Sequence, residues 1–131
     1  MKKFLLLLIV AVFAVGAAHA ATYSGTAHAT KMNGISIDYT AACSYTIDDQ
    51  TGILTGSFSA GPHDVSMQST QAITGAGTYN VSGTISLGGI PIRFSGTINV
   101  GTYNSTTLSF SCSAVALWFL VSEFTFNGTT N

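Results

Sequence analysis

From Ile35 to Ile47, seven successive odd positions are apolar or aromatic: Ile35, Ile37, Tyr39, Ala41, Cys43, Tyr45 and Ile47. Ser36, Asp38, Thr40, Ala42, Ser44 and Thr46 stand between them. Successive side chains of a strand point to opposite faces, so this period of two gives an extended chain one apolar and one polar face. A helix would scatter the same residues around its circumference. The alternation returns at Tyr79, Val81, Gly83, Ile85 and Leu87. It returns again at Ile90, Ile92, Phe94, Gly96, Ile98 and Val100, and at Leu108, Phe110, Cys112 and Ala114.

Turn chemistry separates these runs. Asn33-Gly34 is a tight-turn pair, because Asn and Gly tolerate positive φ. Asp48-Asp49-Gln50-Thr51-Gly52 reads as a longer hairpin loop, and Gly61-Pro62-His63-Asp64, Gly75-Ala76-Gly77, Gly88-Gly89 and Gly101-Thr102-Tyr103-Asn104 break the chain elsewhere. The spacing predicts eight strands: 23–31, 35–47, 53–59, 65–70, 78–87, 90–100, 106–114 and 121–127. Most are hairpin-connected, so the expected class is all-β, an eight-stranded antiparallel β-barrel or, alternatively, a β-sandwich. Ser-Gly-Thr at residues 24–26, 82–84 and 95–97 favours the barrel. Each time the glycine falls on the apolar face, where small barrels coil their strands around a narrow core.

The first twenty residues read differently. Met1-Lys2-Lys3 is followed by an uncharged apolar stretch from Phe4 to Ala18, then by the small-x-small sequence Ala18-His19-Ala20. That is the layout of a secretory signal peptide at residues 1–20, with cleavage after Ala20. Fifteen apolar residues fall short of the roughly 20 that a spanning helix needs. The expected product is residues 21–131, a single domain in the periplasm or outside the cell, with no transmembrane span after cleavage.

Charge excludes several functions. Residues 21–131 carry Lys31 and Arg93 against Asp38, Asp48, Asp49, Asp64 and Glu123. Two scattered cations cannot neutralise a run of phosphates, so nucleic acid is not a partner. Serine and threonine fill 33 of these 111 positions and make the polar faces without charge. Catalytic constellations are absent. His63-Asp64 are neighbours on an extended chain and point to opposite sides, and His28 lies on a polar face. No Gly-x-Ser-x-Gly elbow, cation-binding loop or metal-ligand spacing occurs, so neither an enzyme nor a cofactor or metal is expected.

Cys43 and Cys112 are the only cysteines. An even count in an oxidising compartment suggests a disulfide, and both lie on apolar faces. A bridge closing so much of the chain would contribute on the order of 4 kcal/mol. The alternative is two small buried thiols that never meet.

Val115-Ala116-Leu117-Trp118-Phe119-Leu120-Val121 breaks the alternation. Core packing is the expected role of so apolar a run. An apolar mouth or a protein-binding patch is the functional one.

Tyr23-Ser24-Gly25-Thr26, the hairpin Thr46-Ile47-Asp48-Asp49-Gln50-Thr51-Gly52, the run from Leu87 to Ile98 and Phe124-Thr125-Phe126-Asn127-Gly128 resemble the calycin-like β-barrel domain of bacterial exported proteins. The resemblance covers most of residues 21–131 and implies an up-and-down, lipocalin-like barrel. It carries no catalytic residues. It favours a binding module; on the residues themselves, inward Tyr39, Tyr45, Phe94, Phe110 and Trp118 would line a lumen suited to a small apolar ligand, or simply fill it. The second expectation is a structural or interaction protein of the cell envelope or exterior, meeting a protein partner through the Trp118 segment.

Overall fold

The computed structural model describes residues 21–130; the expected signal peptide lies outside them. The eight strands run β1 Ala21–Met32, β2 Ile35–Ile47, β3 Leu54–Ala60, β4 His63–Ser69, β5 Gly77–Leu87, β6 Ile90–Tyr103, β7 Thr107–Ala116 and β8 Leu120–Thr129. Each pairs antiparallel with its neighbour in sequence, and β8 returns to β1, closing an up-and-down barrel. The strand boundaries fall within about three residues of those read from alternation, the usual fraying of such limits.

Closure explains the recurring Ser-Gly-Thr. A Cβ at Gly25, Gly83 or Gly96 would run into the carbonyl oxygen of Asn127, Ser66 or Ser113 on the adjacent strand. These glycines let neighbouring strands coil tightly, and the interior is correspondingly narrow.

The topology gives the barrel two different ends. The four short connections β1–β2, β3–β4, β5–β6 and β7–β8 lie at one, the hairpin end. The loops β2–β3, β4–β5 and β6–β7, with Ala21 and Thr129, lie at the other, the loop end.

One seam is incomplete. β2 pairs β1 along its whole length but pairs β3 only over Ser44–Ile47 against Leu54–Ser57. Beyond Ser57, β3 runs only to Ala60, while β2 runs nine residues past Ser44 to Ile35. The taller β1–β2 hairpin bends at a bulge between Ala29 and Lys31 and leans over the shorter β3–β4 hairpin.

Candidate functional site

The lumen is filled. Tyr45 meets Phe110 and Phe126 edge-on, with ring centroids 5.2 and 4.8 Å apart. Phe58 and Phe124 stand at 4.7 Å, and Phe110 and Phe126 at 5.5 Å. The first three are edge contacts and the last is tilted at 34°, all at separations typical of packed aromatic rings. Tyr45, Phe94 and Phe110, expected to line a ligand cavity, are buried core residues. Buried Tyr23, Leu54, Val65, Ile85, Ile98 and Leu108 fill the rest. The Tyr45 hydroxyl is buried without a hydrogen-bond partner, and burial pushes its pKa up, with smaller contributions from the Cys43 and Cys112 thiols.

Both ends are shut. At the hairpin end the Asn33 side chain lies across the opening. Its Nδ2 sits 3.2 Å from His63 Nδ1 and donates to the Ser86 carbonyl at 3.4 Å. Its backbone N donates to Ser122 Oγ at 3.0 Å, so one turn residue ties β8 to β4 and β5. At the loop end, buried Ile73 covers the core, and its N donates to the Gly52 carbonyl at 2.9 Å. Tyr23 Oη donates to the Asn104 carbonyl at 2.8 Å.

The two cysteines are free thiols, so the bridge expected from their number is not formed in this structure. β2 and β7 are separated around the wall by β1 and β8. A disulfide needs Cα atoms within about 7 Å, and one step between neighbouring strands is already about 4.8 Å. Burial pushes the Cys43 thiol up to about 11 and the Cys112 thiol up to about 12. Both are therefore held in the thiol form at neutral pH. Cys112 Sγ instead packs 3.8 Å from Met67 Sδ.

The histidines do not form a relay. His63 faces Asn33 and the Ser86 carbonyl, while Asp64 accepts from Ser59 Oγ at 2.6 Å. On the outer wall, His28 Nε2 lies 2.7 Å from Asp38 Oδ1, a pair that alternation alone did not reveal because its members sit on different strands. Both side chains are solvated, where such pairs contribute little. Among the described residues, no three His, Cys, Asp or Glu side chains group to hold a metal.

Two residues expected in the lumen are elsewhere. Tyr39 is 43 % exposed on the part of β2 that β3 does not reach, and Trp118 is 94 % exposed. Core packing, the expected role of the run from Val115 to Val121, holds for buried Ala116 and for half-buried Leu120, which packs against the core; Val115, Leu117, Trp118 and Phe119 are exposed. Phe119 N donates to the Ala116 carbonyl at 3.2 Å, closing a turn with Leu117 at φ 51° and Trp118 at φ 65°. Asn33-Gly34 (52° and 81°) and Gly88-Gly89 (62° and 86°) turn their hairpins with the same signs of φ. Those residue types adopt positive φ readily; a Leu or Trp there costs roughly 1–2 kcal/mol. The β7–β8 hairpin thus holds its largest apolar side chains outward on a strained turn, as functional segments often do.

The exposed apolar residues are not scattered. Among the described residues, the large ones are Ile35, Tyr39, Ile90, Val115, Leu117, Trp118 and Phe119, all in the half of the barrel nearer the hairpin end. Beneath Trp118 and Leu117 a groove of about 1060 Å³ crosses the outer faces of β3 to β7. Ser57, Ser66, Ser82, Ser95 and Arg93 line it.

Comparison of the chain with known family models, with curated proteins and with solved structures finds no match.

Proposed function

We propose that this protein is an exported, non-catalytic interaction protein of the cell envelope or exterior, whose contact surface is the apolar hairpin end. The observation that carries the reading is the gathering of exposed large apolar side chains at that end, with Trp118 94 % exposed on a strained turn. Large apolar side chains left in water at one end of a domain mark a contact site. In this reading the chain is a calycin-like barrel that uses its outside. The packed aromatic interior and the two shut ends weigh against a small apolar cargo in the lumen. The scattered polar groups weigh against catalysis. Export rests on the features of residues 1–20.

The test compares the wild-type chain with a Trp118→Ser, Phe119→Ser variant, both secreted by a bacterial host and incubated with isolated cell envelopes. Wild type is expected to sediment with the envelopes, and the variant to stay in solution with an unchanged circular dichroism spectrum. Equal sedimentation of the two, or a small apolar adduct in native mass spectra that denaturation releases, would overturn the reading in favour of a lumen carrier or another surface.

A further inference from the structure

We propose that the partner at the hairpin end is the surface of a lipid bilayer, into whose headgroup–acyl boundary the hairpin tips insert; this rests on the hairpin end being the contact surface. The apolar side chains stand at three different hairpin turns, and the first turn is tied to β8, Gly34 N donating to the Val121 carbonyl at 2.8 Å. Ile35 follows the Asn33-Gly34 turn, Ile90 follows Gly88-Gly89, and Leu117-Trp118-Phe119 make the third tip themselves. A protein partner would have to match that relief and pair the polar groups around it. A fluid layer imposes no shape. An indole standing free of the protein, with an apolar body and one N–H donor, suits the interface between headgroups and acyl chains.

Charge sets the depth. Those three tips carry no ionisable side chain; Lys31, Asp38, Arg93 and Glu123 come two to four residues further down. At about 3.3 Å per residue on strands tilted some 40°, that is roughly 5–10 Å along the barrel axis. An interfacial element buries its apolar face by about that much. The fourth tip, Gly61-Pro62, ends the shorter hairpin over which Asn33 leans, so His63 and Asp64 also sit below the tips. Arg93, at the near edge of the groove beneath Trp118, is at that level and is offered to lipid headgroups.

The rest of the barrel keeps the contact superficial. The outward side chains of the strands are Ser24, Thr26, Ser44, Ser57, Ser82, Thr97 and others of their kind, the reverse of the apolar band that a membrane-spanning barrel turns to lipid. Asp48 and Asp49 are exposed at the loop end, which faces away from the bilayer. Cations and anions mix near the tips, so attachment depends on apolar burial and not on anionic lipid.

Trp118 is the only tryptophan in the chain, so its emission reports on the site directly. The experiment titrates secreted protein with neutral phosphatidylcholine vesicles. The expected result is a saturable blue shift, quenched by brominated acyl chains and unchanged up to about 1 M salt, where surface electrostatics are screened. Ile90→Ser, far from Trp118 in sequence, should weaken the partition about tenfold or more, the loss expected for one buried apolar side chain. An emission unchanged at millimolar lipid, or a shift that needs anionic lipid and vanishes with salt, overturns the proposal. If vesicles have no effect while Trp118→Ser, Phe119→Ser still abolishes envelope binding, the partner is a protein and only the lipid assignment falls. A blue shift that grows with protein concentration in the absence of lipid assigns the end to a second copy of the chain and overturns it likewise. Failure of both the vesicle and envelope assays removes the contact surface itself.

Discussion

The two ends of this barrel solve the same problem differently. At the loop end, Ile73 tucks over the core at 4 % exposure, and Tyr79 Oη ties its loop by donating to the Gly75 carbonyl at 2.8 Å. At the hairpin end a polar residue, Asn33, does the sealing, and the large apolar side chains stand outside it. Ile73 and Ile90 are the same residue type at opposite ends, at 4 % and 61 % exposure. Apolar side chains at the loop end stabilise the fold. Those at the hairpin end leave surface in water and are free to meet something else.

The sharpest way to break this comparison is to remove each isoleucine. Ile73→Ala is expected to cost about 2–4 kcal/mol, as burial of the side chain is lost and a cavity remains. Ile90→Ala should stay within about 0.5 kcal/mol of wild type. Urea unfolding midpoints decide between them, and equal losses would mean that the hairpin end is core after all.

Replacing the strained tip comes next. Leu117→Asn with Trp118→Gly gives the β7–β8 turn the chemistry of the Asn33-Gly34 turn. It should raise stability by about 1–3 kcal/mol through relief of positive φ, in thermal or urea unfolding. A destabilised double variant would show that Leu117 and Trp118 hold the fold together, contrary to their exposure.

The two polar seals allow a finer comparison. Asn33→Ala leaves the Ser86 carbonyl and His63 with fewer partners and puts alanine at φ 52°, for an expected loss of about 1–3 kcal/mol. Tyr23→Phe removes a single hydrogen bond at the loop end and should cost about 1 kcal/mol. A larger loss for Tyr23→Phe would place the more critical seal at the loop end.

The smallest effect is a pH dependence at the loop end. Backbone N–H groups of Thr51 and Gln50 donate to Asp48 Oδ1 at 3.0 and 2.8 Å and hold its carboxyl below the usual aspartate value. A lowered folded pKa stabilises the fold above the unfolded value, near 4, and that contribution is lost as pH falls through the folded value. Wild type should therefore lose slightly more stability than Asp48→Ala between about pH 4 and pH 2. Parallel acid limbs would show that this turn contributes nothing.

Much of the fold was legible because alternation is a local signal. The seven odd positions of β2 and the inward faces of β5, β6 and β7 follow from residue order alone. The Asn-Gly and Gly-Gly turns announced their hairpins for the same reason. The candidate site was legible only as an interruption: the run from Val115 to Val121 broke the pattern, and its composition fitted core, lumen and partner patch alike. Leu-Trp carries no turn signature, so nothing local announced a positive-φ turn at Leu117 and Trp118. The open β2–β3 seam was equally silent, because it arises from the unequal lengths of two hairpins that meet only in the closed barrel.

Residue order by itself determined the all-β class, the strand number and the alternation of faces along each strand, because a period of two and the φ preferences of Asn and Gly act within a few residues. Only the tertiary structure decided that the barrel closes around a filled lumen. It also decided that Cys43 and Cys112 stand three strand steps apart and that the exposed large apolar side chains gather at one end. These depend on distances between strands remote in sequence, set by how eight hairpin-linked strands coil and by which hairpin is tall enough to lean over its neighbour.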